Sequence, residues 1–438
     1  MNQTPARVRS PWLWVPTAYL AEGIPFAMVI WVAGTLFKDL GHSDGEITVA
    51  TASVGIAWSL KPFWAAFLDM YRTKKFFVLL MEVVMALLLC AMAVALPLPN
   101  YFQIVIALLW VMAFCSATQD ICVDGVYITS LDEKAQARYI GVQGVFWNVG
   151  RLFGTALIVW VAGSLKEDAH LSPTAAWGWA LGLAAVTLLL LALHHRFFLP
   201  TGSIGQRPEN AGAVLRAFGD SVADFFRKPS IWGMLLFVLL YRSSEGLLLI
   251  EGPLFLQASP DSGGVGLSLK DKGLIDGTVA TVVSLAGGLL GGAFLSKYGL
   301  NRRTLIFMAL CLNVPHLSFV VLSQLAGPGH GLSLTTVALL VTVEKFGYSF
   351  GFVANMLYMM QQISPGRYHM THYAFANSIM NLTLVPTQMV SGPMADHFGY
   401  QTYFIIVMVA AVPSVLGAVF APFPRGEGKG GGPDARVG

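Results

Sequence analysis

Apolar stretches of twenty or more residues, separated by short polar punctuation, recur along the whole chain. They fall at about 12–37, 47–68, 75–97, 101–130, 139–163, 175–198, 231–257, 271–296, 303–325, 332–362, 368–393 and 400–422. About 20 helical residues cross a hydrocarbon core of about 30 Å, so each run is long enough to span a bilayer. Numbered 1 to 12 in chain order, these spans predict an all-α membrane protein, since the ~10-residue alternation of a barrel strand is absent. Six spans precede and six follow a polar connection, Pro200 to Lys228, which carries Arg207, Arg216, Arg227 and Lys228 and has a helical pattern around Val214 to Phe226. The expected organisation is a six-helix half over 1–199, a cytoplasmic linker over 200–229, a second six-helix half over 230–423, and a Gly-rich tail over 424–438 expected to be disordered.

Composition agrees with this pattern. The 438 residues are 55% hydrophobic and 12% charged, with a mean hydropathy of +0.64, far from the roughly 25% charged usage of soluble domains. The first run is too long for a signal-peptide core and lacks a small-residue cleavage site, so it is expected to stay as span 1. With both termini in the cytoplasm, Lys38, Lys166, Lys270 and Lys272 lie outside, against nineteen Lys and Arg in cytoplasmic segments. That asymmetry follows the positive-inside rule. The cysteines, Cys90, Cys115, Cys122 and Cys311, sit inside apolar runs without metal-type spacing and read as small core residues. No Gly-x-x-x-x-Gly-Lys-Ser/Thr loop occurs, and neither a cofactor nor a nucleic-acid partner is expected.

The chemistry lies in polar groups placed inside the spans. An ionisable side chain near the bilayer centre costs roughly 3 kcal/mol on insertion scales, so such residues face a protein interior or a water-filled path. In span 4, Asp120 and Asp124 sit one turn apart with Gln119 beside them and Tyr127 a further turn along, forming a polar stripe. At about 1.5 Å per residue, Asp120 and Arg151 of span 5 both lie ~15 to 18 Å from the cytoplasmic end. They are expected to pair, either as a static link between spans 4 and 5 or in substrate or proton handling. Glu22, Arg242 and Glu344 reach similar depth on spans 1, 7 and 10.

Arg242 and Glu245 are i, i+3 neighbours that can neutralise each other within span 7. Glu22 has no basic neighbour in its own span and is a candidate for proton coupling; the alternative is a Glu satisfied by Arg242 or by a backbone group freed near Pro25. Lys61 and Glu82 are expected to bridge spans 2 and 3. Trp147 and Asn148 in span 5 and Asn377 and Asn381 in span 11 suit sugar hydroxyls and acetamido groups, although buried Asn also holds membrane helices together. Lys345 is not assigned, and His316 and His372 receive no role. Gly150 and Gly154 in span 5, with Gly287, Gly288, Gly291 and Gly292 in span 8, form small-residue stripes that let backbones approach closely.

Ala65 to Lys75 after span 2 and Gly292 to Arg303 after span 8 share one spacing and resemble the loop signature of the major facilitator superfamily: a Gly, an Asp, then a basic cluster. Ala65 replaces the Gly in the first copy, and Ser296 the Asp in the second. Ala113 to Ile121, with its Gln-Asp-Ile and a second acid at Asp124, is similar to the fourth-helix signature of AmpG-type permeases and acetyl-coenzyme A transporters. Leu60 to Trp64 ending in Asp69, the Arg242-x-x-Glu245 element, and Glu344 resemble further elements of that branch. Val123-Asp124-Gly125 leans toward the acetyl-coenzyme A branch, and Glu22 occupies a position that is uncharged in both of these groups.

The resemblance implies the major facilitator fold, twelve helices in two pseudo-symmetric halves, with helices 1, 4, 7 and 10 lining a central cavity and helices 5 and 8 meeting across the halves. It implies a gating-loop role for Asp69. It also implies a monomeric proton symporter in a bacterial inner membrane, importing an amino-sugar or muropeptide-like glycan fragment. The alternatives are acetyl-coenzyme A, a siderophore or another bulky anion. From another class, an integral-membrane acyltransferase would need a catalytic His or Asp beside a cleft at one membrane face, whereas the charges here cluster at mid-depth.

Overall fold

A computed structural model describes residues 10–61, 63–65, 68, 72–202, 211–328 and 331–427. Every regular element among them is helical. Among the described residues, nine single spans are long and apolar enough to cross a membrane: helix 1 (Pro11–Asp39), helix 3 (Lys74–Ala95), helix 4 (Tyr101–Ser130), helix 5 (Arg138–Glu167), helix 6 (Pro173–Phe198), helix 7 (Ile231–Gln257), helix 8 (Leu269–Tyr298), helix 9 (Arg302–Leu325) and helix 10 (Leu334–Ile363). A tenth stretch, Thr371–Phe420, is two spans, because Gly399 at φ 72°, ψ 157° breaks it into helix 11 (371–398) and helix 12 (400–420). Helix 2 starts as Asp44–Ala52 and continues through Ser53–Gly55 and Ile56–Leu60. Asp69 lies outside the described residues.

Local sequence explains where the helices start. Ser43, Thr73, Asp132, Ser172, Ser268, Asn301 and Ser333 each accept a backbone N–H of the first turn that follows, satisfying donors that a helix leaves open. The spans are apolar outward and polar inward. Val94, Trp179, Leu289 and Phe420 are 69–76% exposed, while Glu82, His195 and Glu251 are fully buried. That inversion suits a lipid surround, where the large apolar side chains meet acyl chains.

The chain forms two compact units. Met1–Ala33 and Leu60–Val214 make the first, and Gly34–Ser59 with Leu215–Gly438 the second. The end of helix 1 and the start of helix 2 therefore belong with the second unit, unlike the six-plus-six boundary expected from the linker. The local reason is close backbone packing: a Cβ on Gly392 would lie 2.1 Å from the Asp44 carbonyl oxygen. Gly45 N–H donates to Asp396 Oδ2 at 2.8 Å, and Gln257 Nε2 donates to the Thr35 carbonyl at 3.1 Å.

A repeated device appears once in each unit. In the first, Lys75 at the start of helix 3 donates to the carbonyls of Arg196 and Leu199 at the end of helix 6, both at 2.8 Å. In the second, Arg302 at the start of helix 9 donates to the carbonyls of Val419 and Ala421 at the end of helix 12. A cation on a helix C-terminus satisfies open carbonyls and opposes the helix dipole. The same basic position serves the same end six spans later, which is what two related halves require.

The glycine stripes act within each unit. A Cβ on Gly23 of helix 1 would sit 2.3 Å from the Trp147 carbonyl oxygen of helix 5, and one on Gly150 would sit 2.5 Å from that of Leu20. In helix 8, a Cβ on Gly287 would sit 2.7 Å from the Phe346 carbonyl oxygen of helix 10, and one on Gly291 would sit 2.5 Å from that of Phe350. Gly288 and Gly292 have open space around them. These glycines thus let helix 1 approach helix 5 and helix 8 approach helix 10; the expectation had tied them to a crossing of helices 5 and 8.

Candidate functional site

The first unit gathers Glu22 of helix 1, Lys61 in the turn after Leu60, and Asp120 and Asp124 of helix 4. Glu22 is 7% and Asp120 9% exposed. The Lys61 ammonium donates to Asp120 Oδ2. Tyr19, one turn before Glu22 on helix 1, donates its hydroxyl to Asp124 Oδ1 at 2.8 Å. Glu22 has Asp120 and Asp124 as its strongest electrostatic neighbours, with Lys61 opposing them, and its Oε2 has no hydrogen-bond donor among the described residues. Three carboxylates therefore share one ammonium and one phenol.

Two expected pairs are corrected here. Asp120 is joined by Lys61 and not by Arg151, whose guanidinium stands over the Trp31 ring at 4.5 Å. Equal depth did not decide the partner, because depth says nothing about which face of helix 5 carries the arginine. Glu82 is joined by His195 and not by Lys61. His195 Nδ1 lies 2.7 Å from Glu82 Oε1, Gln119 Nε2 donates to the same oxygen at 3.1 Å, and His195 Nε2 lies 3.0 Å from Thr17 Oγ1. Gln119 thus points toward helix 3, away from the aspartates on its own helix.

The other expected residues of this unit divide. Tyr127 donates to the Gln136 carbonyl at 2.6 Å, so its hydroxyl serves the loop after helix 4 and leaves the acidic stripe. Its ring packs edge-on against Tyr19 at 5.9 Å. Trp147 packs against Phe26 at 5.4 Å. Asn148 donates to the Gly144 carbonyl of its own helix at 2.9 Å.

The second unit holds a neutralised counterpart. Helix 7 breaks after Tyr241, and Arg242 at the break donates Nε to Glu245 Oε2 at 2.5 Å and a second N–H to Glu245 Oε1. Its Nη1 donates to Asn381 Oδ1 at 3.2 Å, and the guanidinium lies over Phe352 at 4.9 Å. Tyr348 of helix 10 donates to Glu245 Oε1 at 2.8 Å. The Tyr241 carbonyl at the break accepts from the Ser414 hydroxyl at 2.6 Å, and the side chain of Ser244 in the break donates to Asn313 Oδ1 at 2.5 Å. Irregular backbone at membrane depth persists only when its polar groups are satisfied in this way.

Asn377, one turn before Asn381, is half-buried. Glu344 pairs with Lys345 Nζ at 3.0 Å and lies 3.6 Å from His316 Nδ1. Sequence reasoning missed Tyr19, His195, Tyr348 and His316 as partners, and it missed Glu251 and Asp44 altogether. For Glu251 the signal was present, an acid inside the apolar run of span 7.

Each unit therefore carries its own set of buried charges, on helices 1 and 4 with Lys61 in the first and on helices 7 and 10 in the second, with no cluster among the described residues able to hold a metal. A family profile described as Major Facilitator Superfamily matches residues 17–383. The chain belongs to that superfamily. It is 24% identical over 422 residues to the anhydromuropeptide permease of Escherichia coli, covering 90% of this chain and 76% of the relative. It is 22% identical over 412 residues to the Rickettsia felis protein named AmpG 4, covering 91% and 93%.

Solved structures show the same fold. A bacterial homologue of the human lysosomal transporter Spinster, inward-facing and unoccupied, superposes with a TM-score of 0.72 at 15% identity, over 96% of this chain and 98% of that one. A D-xylose-proton symporter superposes with a TM-score of 0.69 at 14% identity, over 93% and 95%. The protein is a multi-pass membrane transporter and not an enzyme, which removes the acyltransferase reading.

Proposed function

We propose that this transporter is a proton-coupled importer of amino-sugar or muropeptide-like fragments across a bacterial inner membrane, with both termini cytoplasmic. The observation that carries the coupling is the cluster of Glu22, Asp120 and Asp124 around the single ammonium of Lys61. Three carboxylates meet there around one ammonium, and a low-dielectric surround favours taking up a proton over crowding the negative charges. Glu22 is the residue to exchange a proton, because Lys61 and Tyr19 already serve the two aspartates. Orientation rests on nineteen cytoplasmic Lys and Arg against four outside. The substrate class rests on the muropeptide permease of E. coli and on amide and aromatic side chains at Trp147, Asn377 and Asn381.

Glu22→Gln tests the coupling in proteoliposomes, because it keeps size and hydrogen bonding while removing titration. Gradient-driven accumulation is lost and counterflow exchange survives; accumulation that persists removes Glu22 from the coupling. The substrate is tested by thermal stabilisation of purified protein, since a ligand that prefers the folded state raises Tm. Anhydromuropeptides raise it under this reading. Stabilisation by acetyl-coenzyme A or a siderophore alone replaces the substrate with a bulky anion.

A further inference from the structure

A second buried acid lies away from the Glu22 cluster and has no role in the reading above. Glu251 sits twenty residues into helix 7, about 30 Å along it from the linker end. It is 0% exposed, and neither carboxylate oxygen has a hydrogen-bond donor among the described residues. Its strongest electrostatic neighbour is Asp44, the first residue of helix 2, followed by Lys38 and Asp396.

The donors around Glu251 are already engaged. Lys38 Nζ donates to Asp44 Oδ1 at 2.5 Å, and Tyr400 donates to Asp44 Oδ2. Tyr403 donates to the Leu247 carbonyl at 2.6 Å, one turn before Glu251. Lys272, fully within helix 8, donates to the Pro253 carbonyl and lies 3.4 Å from Asp276. Asp396 accepts from Gly45 N–H. The Asp44 carboxylate already accepts from an ammonium and a phenol. A second anion beside it with no donor would be unstable, whereas a protonated Glu251 has one hydrogen to donate and Asp44 beside it to accept.

We propose that Glu251 and Asp44 form a proton-binding pair that latches the 34–59 hairpin onto helices 7 and 12 at the end of the unit away from the linker. With the proton bound, Glu251 O–H donates to the Asp44 carboxylate. When water at that end removes the proton, two carboxylates face each other and the hairpin is released. The inference needs no substrate and stands whether or not Glu22 couples transport.

Hydrogen exchange on the full chain in lipid nanodiscs tests it, read over residues 34–59 between about pH 5 and about pH 8 and corrected for intrinsic rates. A one-proton latch makes protection fall with rising pH by up to about tenfold per pH unit. Glu251→Gln, neutral at all pH and still a donor, holds protection high and flat. Asp44→Asn removes the repelling charge and also flattens the slope, so it serves if the glutamine variant does not fold. A flat wild-type profile, or a variant that keeps the wild-type slope, overturns the proposal.

Discussion

The two units bury charge in opposite ways. In the second, Arg242 meets one carboxylate through two hydrogen bonds, with Asn381 and Tyr348 completing the set, and the side chains of the pair are 7% and 3% exposed. In the first, Lys61 and Asp120 are 32% and 13% exposed, and Glu22 and Asp124 add two acids without adding a cation. One cluster is balanced, dry and bidentate. The other is more exposed, gathers three carboxylates around Lys61, and is held by a flexible ammonium. Under the proposed coupling, the difference separates a structural pin from a cluster that exchanges a proton, because a fully paired cluster gains nothing by changing its charge.

Removing one partner from the dry cluster is the strongest way to test that contrast. Arg242→Met leaves Glu245 buried without its cation and costs about 3–5 kcal/mol, whereas pairing it with Glu245→Leu recovers most of the loss. Lys61→Met costs less, about 1–2 kcal/mol, because Asp120 retains some water and the cluster can take up a proton. Thermal unfolding of purified protein measures both. Equal losses at Arg242 and Lys61, or a double variant no better than the single, would break the comparison.

How much of this was legible in the sequence follows from what periodicity encodes. Apolar run length located the spans, since crossing a bilayer fixes a minimum number of residues. The Arg242–Glu245 pair was legible because i, i+3 spacing puts two residues on one helix face whatever the neighbours do. The partners of Asp120 and Glu82 were not, because they depend on helix rotation, to which depth along the axis is blind. Lys61 also reaches Asp120 with a flexible four-carbon stem, so spacing along the chain does not fix its partner. The end of helix 1 and start of helix 2 joined the second unit for a reason invisible to hydropathy, the bare backbone of Gly45 and Gly392. Glu251 lies beyond the mid-depth band, where depth along the span does not distinguish a buried acid from one at the membrane face.

The glycine contacts sharpen the comparison at backbone level. Gly150→Leu drives a side chain into the Leu20 carbonyl and the backbone of Gly23, next to Glu22, where nothing flexible can yield. It is expected to cost about 1–3 kcal/mol and to slow transport in proteoliposomes by displacing helix 1. Gly288→Leu enters open space and stays within about 0.5 kcal/mol of wild type. Similar losses in both variants would mean that Gly288 faces a surface the glycine spacing alone did not reveal.

The smallest expected effect concerns Lys228, in the linker before helix 7. Its ammonium donates to the carbonyls of Ile363, Ser364 and Pro365 at the end of helix 10, the role Lys75 plays for helix 6 and Arg302 for helix 12. Unlike those two it titrates within reach of ordinary buffers: burial, with Arg425 nearby, pushes it down to about 8, and Asp224 only partly opposes this. An unfolded lysine titrates near 10.4, so between about pH 8 and about pH 10.4 the unfolded chain holds more protons than the folded one. Stability contributed by this group therefore rises with pH through that window and is lost as pH falls through about 8. Half-exposure discounts the size, and the expected shift is a degree or two in Tm, roughly that of a weak surface interaction. Melting curves of wild type and Lys228→Met across the window measure it. The wild type gains on the variant as pH rises, and parallel curves would mean that the three carbonyls hold the lysine charged, making it a fixed clamp like Arg302.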